Sequence, residues 1–277
     1  MIPECVCNLL VVTDLFERDY SSAFQQLQIV CSKENNTIEV ITGVNDYWCR
    51  DFLPVQTDKA QYVQFRFDPS YYQHPQYKHL KTTIEHCNWE RAGKQSISDL
   101  ILDGGNLIYT AKQAIVTDRV FVDNKHLPTS FIVQTLVESL QLDRLVVIPA
   151  VPFELTGHAD GMVRFLTEDT LLINDFRTLC SPSYIRRLER ALRFFNLLYL
   201  VNGFAANNDM DDATGDYLNH ICIGRSVVVP VYGCADDDVA LSFLETCYRD
   251  CAIVPVVCND LSKKGGVLHC ATWQGLV

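Results

Sequence analysis

Asn106-Leu-Ile-Tyr-Thr110, a turn at Lys112-Gln113, Ala114-Ile-Val-Thr117, a helical stretch from Thr129 to Leu142, then Arg144-Leu-Val-Val-Ile-Pro149: this run decides the fold, because it recurs. Its two short apolar segments around a tight turn read as a hairpin. Phe131, Val133, Leu136 and Leu140 give the middle stretch a helical apolar face. The closing run of Leu, Val and Ile reads as a buried strand.

Moving toward the C-terminus, Met162-Val-Arg-Phe-Leu166 and Leu171-Leu-Ile173 flank Thr167-Glu168-Asp169. A helix over Tyr184 to Phe195 follows, started by Ser181-Pro182, since serine caps and proline fits the first turn. Leu197-Leu-Tyr-Leu-Val201 closes that copy. The next copy has His220-Ile-Cys-Ile223, Ser226-Val-Val-Val229, a helix within Asp236 to Tyr248 and Ala252-Ile-Val-Pro-Val-Val257. Toward the N-terminus, a copy starts near Val55 and Tyr62-Val-Gln-Phe65, has a less regular helical part between Gln76 and Cys87, and ends at Asp99-Leu-Ile-Leu102. A fifth is closed by the two chain ends. Asn8-Leu-Leu-Val-Val12 is a strand, Tyr20 to Cys31 a helix, Thr37-Ile-Glu-Val-Ile41 a strand, and His269 to Gln274 pairs beside the first strand. Repeats of such a period imply stacked or ring-closed units. The expectation is an α/β protein whose residues 1–277 form one domain.

Each closing strand is followed by a polar anchor: Asp51, Asp103, Asp160, Asp216 and Cys270, spaced by 52, 57, 56 and 54 residues. In a closed ring, equivalent strand ends meet at the axis, so these groups would converge on one pocket. His158 and Asp160 are two apart and share a face of an extended segment. Cys270 needs a base or a positive neighbour to become a thiolate, and His158 supplies either. Asp51, Asp160 and Asp103 make the pocket negative. A thiolate there is unfavourable until a cation enters, and a guanidinium, planar with five N–H donors, matches paired carboxylates. Asp103 orients His158 or holds a third side of that cation. Trp48 either stacks on a cation or packs. Asp216 reads as a strand cap. His269, beside Cys270, points to the opposite face if the segment is extended, and is not assigned as base.

The composition sets outer limits. Hydrophobic residues make up 48% and charged residues 21%, enough apolar material for a core and against disorder. A net charge of -11 without a basic stripe excludes nucleic acid as the expected partner and suits a small cation. The 12 cysteines contain no doubled CxxC, so no zinc ribbon is expected; Cys5, Cys7, Cys222 and Cys258 read as reduced packing residues. The start Met1-Ile-Pro-Glu4 lacks the positive charge of a signal peptide, and no apolar run approaches the ~20 residues that span a bilayer. The expectation is a cytoplasmic protein without membrane contact; a homo-oligomer stays open.

Four motifs in order carry a resemblance. Trp48-Cys-Arg-Asp51 with Pro54, Asp103-Gly-Gly-Asn106, Gly157-His-Ala-Asp160 and Gly265-Gly-Val-Leu-His-Cys270-Ala-Thr-Trp-Gln274 resemble the signatures of agmatine deiminases and Porphyromonas-type peptidylarginine deiminases. These are guanidino-group-modifying enzymes of the pentein fold, a five-bladed α/β propeller with pseudo-fivefold repeats of about 50 residues. The resemblance covers essentially the whole chain. It implies a hydrolase turning a guanidinium into a ureido group and ammonia, with Cys270 as nucleophile, His158 as general acid/base and Asp103 beside it. It implies substrate contacts from Asp51, Asp160, Trp48, Arg50, Asn106, Gly265 and Gly266, with no metal or organic cofactor. Agmatine, on a route to putrescine, is the first expected substrate. The chain carries Asp103 where the family more often has Glu, and is shorter than typical agmatine deiminases. Two other readings stand beside it: an amidinotransferase, which passes the group to an amine, and a non-catalytic pentein that binds a partner.

Overall fold

Among the described residues, four three-stranded sheets are each laid down as a hairpin followed by a crossover to a third, parallel strand, and a fifth is shared by the chain ends; the computed structural model describes residues 1–90, 93–201 and 212–277. Four blades are continuous in sequence. They are Val55–Asp58, Gln61–Arg66 and Lys94–Ile101; Ile108–Tyr109, Gln113–Thr117 and Arg144–Ile148; Val163–Thr167, Thr170–Asn174 and Asn196–Leu200; and Ile221–Ile223, Ser226–Val231 and Ala252–Val257. The fifth is shared by the chain ends. Leu9–Thr13 pairs in parallel with Thr37–Ile41 and antiparallel with Trp273–Gly275, Leu9 opposite Gly275 and Val11 opposite Trp273. This closes the ring and fixes the fold as the pentein propeller.

A parallel third strand requires a long crossover. Helices Ser21–Lys33, Thr129–Leu140, Pro182–Ala191 and Ala235–Cys247 fill four of them. Ile132, Leu136 and Leu140 recur at helical spacing and bury one face of the second helix, which ends at Gln141 in the left-handed region (φ 54°). Ser181 Oγ accepts the Tyr184 N–H at 3.3 Å and Pro182 opens the third, a cap worth ~1 kcal/mol. In the blade from Val55 to Ile101 the described residues of the crossover form no such helix. Single 3-10 turns at Ser70–Gln73, Lys78–Leu80 and Ile84–His86 replace it, and the first of them turns Tyr71 and Tyr72 inward as buried residues.

The burial order within a blade differs from the sequence expectation. The closing strands are the partly exposed ones: only Ile148 of Arg144–Ile148 is fully buried. The middle strand is the buried one, wholly so over Leu9–Thr13 and over Ala114–Thr117. The middle strand has a neighbour on each side, whereas the closing strand is an edge. At the other end of the chain, only Trp273–Gly275 is strand; the residues just before it form turns. Cys7 is buried but Cys5 is exposed, so Cys5 does not pack. Among the described residues no helix is long and apolar enough to cross a membrane.

Candidate active site

Just past the closing strand Lys94–Ile101 the chain reaches the residues that gather around His158. Asp103-Gly-Gly-Asn106 makes a single 3-10 turn there. The Gly105 N–H donates to Asp51 Oδ1 at 2.9 Å, and the Gly105 carbonyl accepts the Asp160 N–H at 3.0 Å. A Cβ on Gly105 would lie 2.6 Å from His158 Nδ1 and 2.8 Å from Asp51 Oδ1, inside van der Waals contact, so the bare backbone is what lets these side chains meet.

His158 is buried. Its Nε2 lies 2.9 Å from Asp103 Oδ2, which also accepts the Tyr71 hydroxyl at 2.9 Å, and its Nδ1 is 3.7 Å from Asp51 Oδ1. Burial opposes a charge on the ring, but Asp51, Asp103 and Asp160 outweigh it and raise its pKa to about 10. Asp51 itself is pushed up, by burial first and further by Asp103 and Asp160, with the His158 charge offsetting part. Burial also works against the Asp160 carboxylate, yet the hydrogen bond and charge of His269, then His158, hold it below its ordinary value.

Cys270 Sγ stands 3.3 Å from Asp160 Oδ2 and accepts from Asn219 Nδ2 at 3.2 Å, while Asn219 Oδ1 accepts the Cys270 N–H at 3.2 Å. Burial, then Asp160 and Asp51, push this thiol well above its ordinary pKa. In these surroundings the sulfur is protonated at neutral pH. Gly265 adopts φ +93°, and a Cβ on Gly266 would lie 2.9 Å from the Trp48 ring and 3.1 Å from Cys270 Cβ, so this glycine pair lets the cysteine loop lie against the indole. Trp48, Asp51, His158, Asp160, Gly265, Gly266 and Cys270 all line one cavity of about 420 Å³, in the range of small-molecule sites.

Three expected residues lie elsewhere. Asp103 is behind His158, not in the cavity wall, and its Oδ2 meets the imidazole on the side away from the cavity. Its short side chain reaches the imidazole without a longer acid. Arg50 is a correction: it sits on the same helical turn as Asp51, Cys49–Phe52, and successive residues there diverge. Its Nε donates to the His269 carbonyl at 3.3 Å and its Nη2 to Gln274 Oε1 at 3.2 Å, away from the cavity. Asn106 is the second correction: its Oδ1 turns back into the blade and accepts the Thr117 N–H at 2.9 Å.

The sequence reading passed over others. His269 was set aside on the premise of an extended segment; that segment is turned, and His269 Nδ1 lies 2.8 Å from Asp160 Oδ2. Asn219, three residues after the fourth anchor, holds the cysteine. Asp216 is not a mere cap: it accepts from Asn174 Nδ2 at 2.9 Å and lines the cavity, as does Glu154. Burial raises both acids, Glu154 to about 7. A histidine beside a nucleophile and an Asx residue one turn from an anchor are the signals that could have found them.

Ring and axis together define a pentein with a cysteine, a histidine and paired carboxylates at its centre. The chain belongs to the Porphyromonas-type peptidyl-arginine deiminase family, whose pattern matches residues 9–275. An agmatine deiminase of Pseudomonas fluorescens is 22% identical over 219 residues, covering 67% of this chain and 60% of that one. Across such curated relatives the aligned part spans 58% to 81% of the relative's own length. The C. jejuni agmatine deiminase superposes with a TM-score of 0.78 at 17% identity, covering 100% of this chain and 96% of that one. An amidinotransferase of Microseira wollei has a TM-score of 0.58 at 13% identity, covering 99% and 95%.

Proposed function

We propose that the protein is a guanidine deiminase acting through a covalent adduct on Cys270, with agmatine as its first candidate substrate. The observation that carries this reading is Cys270 Sγ 3.3 Å from the Asp160 carboxylate, in a cavity shared with Asp51 and with a His158 backed by Asp103. Two carboxylates facing a thiol are matched by a planar cation that donates to both and presents an electrophilic carbon to the sulfur.

The steps follow from the charges. Asp51 and Asp160 accept the guanidinium N–H groups. Their negative charge is then compensated, and the Cys270 thiol gives its proton to solvent, where the departing ammonia later takes it up as ammonium. Sγ forms a bond to the central carbon, giving a neutral tetrahedral adduct. Protonated His158 donates to one amino nitrogen; the C–N bond breaks, ammonia leaves and a thiouronium cation remains. Neutral His158 then takes a proton from water while the hydroxide adds to the carbon. Collapse breaks the C–S bond, the hydroxyl proton passes to sulfur, and the ureido product departs from a restored thiol and imidazolium.

The tail preference rests on the cavity wall. It carries Asp46, Asp51, Glu154, Asp160, Asp212 and Asp216 against Lys263, Lys264, His79 and the protonated His158. A Cβ on Gly161 would lie 3.4 Å from Asp216 Oδ2 and 3.9 Å from Glu154 Oε1, so two further acids face that point. A tail ending in an ammonium suits this wall better than one ending in a carboxylate, and relatives and a substrate-bound solved structure bear the name agmatine deiminase.

The test is release of ammonia and ureido product from agmatine, arginine, methylated arginines and an arginine peptide, with an acceptor amine added in parallel. Agmatine is expected to turn over, and Cys270→Ala to lose turnover by ~10⁴-fold or more while still binding it. Activity retained in that variant would exclude the covalent step. Transfer to the amine in place of water would favour the amidinotransferase reading, and silence with every compound would remove the enzyme reading.

A further inference from the structure

Behind Cys270 a line of charged groups runs away from the substrate cavity. Asp160 Oδ2, which faces the sulfur, is 2.8 Å from His269 Nδ1; His269 Nε2 is 2.7 Å from Glu4 Oε1; and Glu4 Oε2 is bonded to Arg164 Nη2. Arg50 Nη2 lies 3.6 Å from Glu4 as well. Glu4 is not part of the substrate cavity. It lines a second one, of about 310 Å³, with Arg164 and Tyr248.

Both ring nitrogens of His269 thus face carboxylate oxygens. A neutral imidazole donates from one nitrogen only, whereas the imidazolium donates from both. The His269 side chain is 1% exposed and that of Asp160 3%, so neither finds a substitute partner in water. Asp160 also stands near Asp51, and two buried carboxylates repel unless a cation lies between or beside them. His269 is that cation on the side away from the substrate. Glu4 faces its other ring nitrogen, and Arg164 and Arg50 keep Glu4 ionised: burial opposes its charge, but Arg164, His269 and Arg50 hold it well below the usual carboxylate range.

We propose that Glu4 and His269 are positioning residues of this site: Glu4, clamped by Arg164, fixes the His269 ring, and the ring fixes the Asp160 carboxylate that faces both Cys270 and the incoming cation. The inference rests on the deiminase reading. It makes a residue at the start of the chain, bound to His269 across 265 positions of sequence, a determinant of guanidinium binding that never touches the substrate.

Steady-state kinetics with agmatine on the full chain test it. Glu4→Gln, nearly isosteric, is expected to raise KM about tenfold with a smaller change in kcat, and Glu4→Asp to recover part of the loss. In an Asp160→Asn background Glu4→Gln is expected to add nothing, because its effect passes through that carboxylate; a merely structural role would give effects that add. Proton NMR of the wild-type protein, with His269→Gln for assignment, supplies a readout that survives a poorly folding Glu4 variant: two downfield ring N–H signals from His269 are expected. A single ring N–H signal, an unchanged KM in Glu4→Gln, or additivity with Asp160→Asn would each overturn the proposal. Turnover by the wild type with Glu4→Gln unaffected removes this role alone; a wild type silent on every guanidine removes the deiminase reading and this role with it.

Discussion

The two ends of the axial column hold similar residues in opposite electrostatic states. At the far end, the single carboxylate of Glu4 meets Arg164, His269 and Arg50, so its charge is more than matched. At the cavity end, Asp160 is taken up by His269, while Asp51 and Asp103 share one imidazole, His158, and leave negative charge over. A buried charge in excess is costly, and that cost is relieved when a cation binds. On the proposed reading the matched end fastens the His269 ring, and the unmatched end recruits the cation. In the proposed reaction the same imbalance holds Cys270 protonated until the cation arrives, and so ties activation of the sulfur to substrate binding.

Breaking the unmatched end at Asp103 is expected to have the largest effect of the substitutions that leave the nucleophile in place. Asp103→Asn removes the charge that orients His158 and supports its proton, and kcat should fall by about 10²–10⁴-fold. The sign of the pH change follows as well. His158, raised to about 10 by burial-opposed attraction to Asp51, Asp103 and Asp160, is protonated as a general acid up to that pH. Without Asp103 the basic limb of kcat/KM moves down toward 6.5. A limb that stays near pH 10 in the variant would show that Asp103 does not govern the proton on His158. Gly105→Ala comes next. The added methyl meets His158 Nδ1 and Asp51 Oδ1 at under 3 Å, and a misplacement on that scale costs on the order of 10²-fold in kcat/KM. Wild-type kinetics in that variant would mean that the axial backbone yields more easily than its contacts imply.

The ring was legible because its repeat is local: a hairpin, a crossover and an anchor every 50-odd residues, each written in adjacent positions. The crossover between Arg66 and Lys94 was harder: Pro69 and Pro75 break its first part, and among the described residues the stretch from Gln76 to Cys87 forms single 3-10 turns where a helix was expected. Middle and closing strands were confused because both are apolar runs, and burial depends on whether a strand has one neighbour or two. At the site, Cys270, His158, Asp160 and Asp51 followed from the anchors, and motif membership brought in Arg50 and Asn106. Their partners, the His269 carbonyl and Thr117, take them out of the cavity, and no spacing rule shows which way a side chain turns within one helical turn. His269 was lost to an alternation rule that holds for strands and fails in turns. Glu4 carried no local signal, since its partners Arg164 and His269 lie 160 and 265 positions away.

Asp160 sharpens the comparison most finely, because it belongs to both ends: it accepts from the fastened His269 and faces the reactive Cys270. Asp160→Asn removes one charge-assisted contact to a guanidinium, worth about 1.5–3 kcal/mol, or about 10- to 150-fold in affinity. The same charge contributes to holding the Cys270 thiol above its ordinary pKa. Its removal should lower that pKa, so alkylation of Cys270 by neutral iodoacetamide, measured without substrate at fixed pH, should become faster in the variant than in the wild type. The two effects run in opposite directions, weaker binding and a more reactive sulfur, and a general loosening of the fold would not separate them in this way. If affinity falls and alkylation does not accelerate, Asp160 binds the cation but does not restrain the thiol, and burial and Asp51 alone account for its protonation.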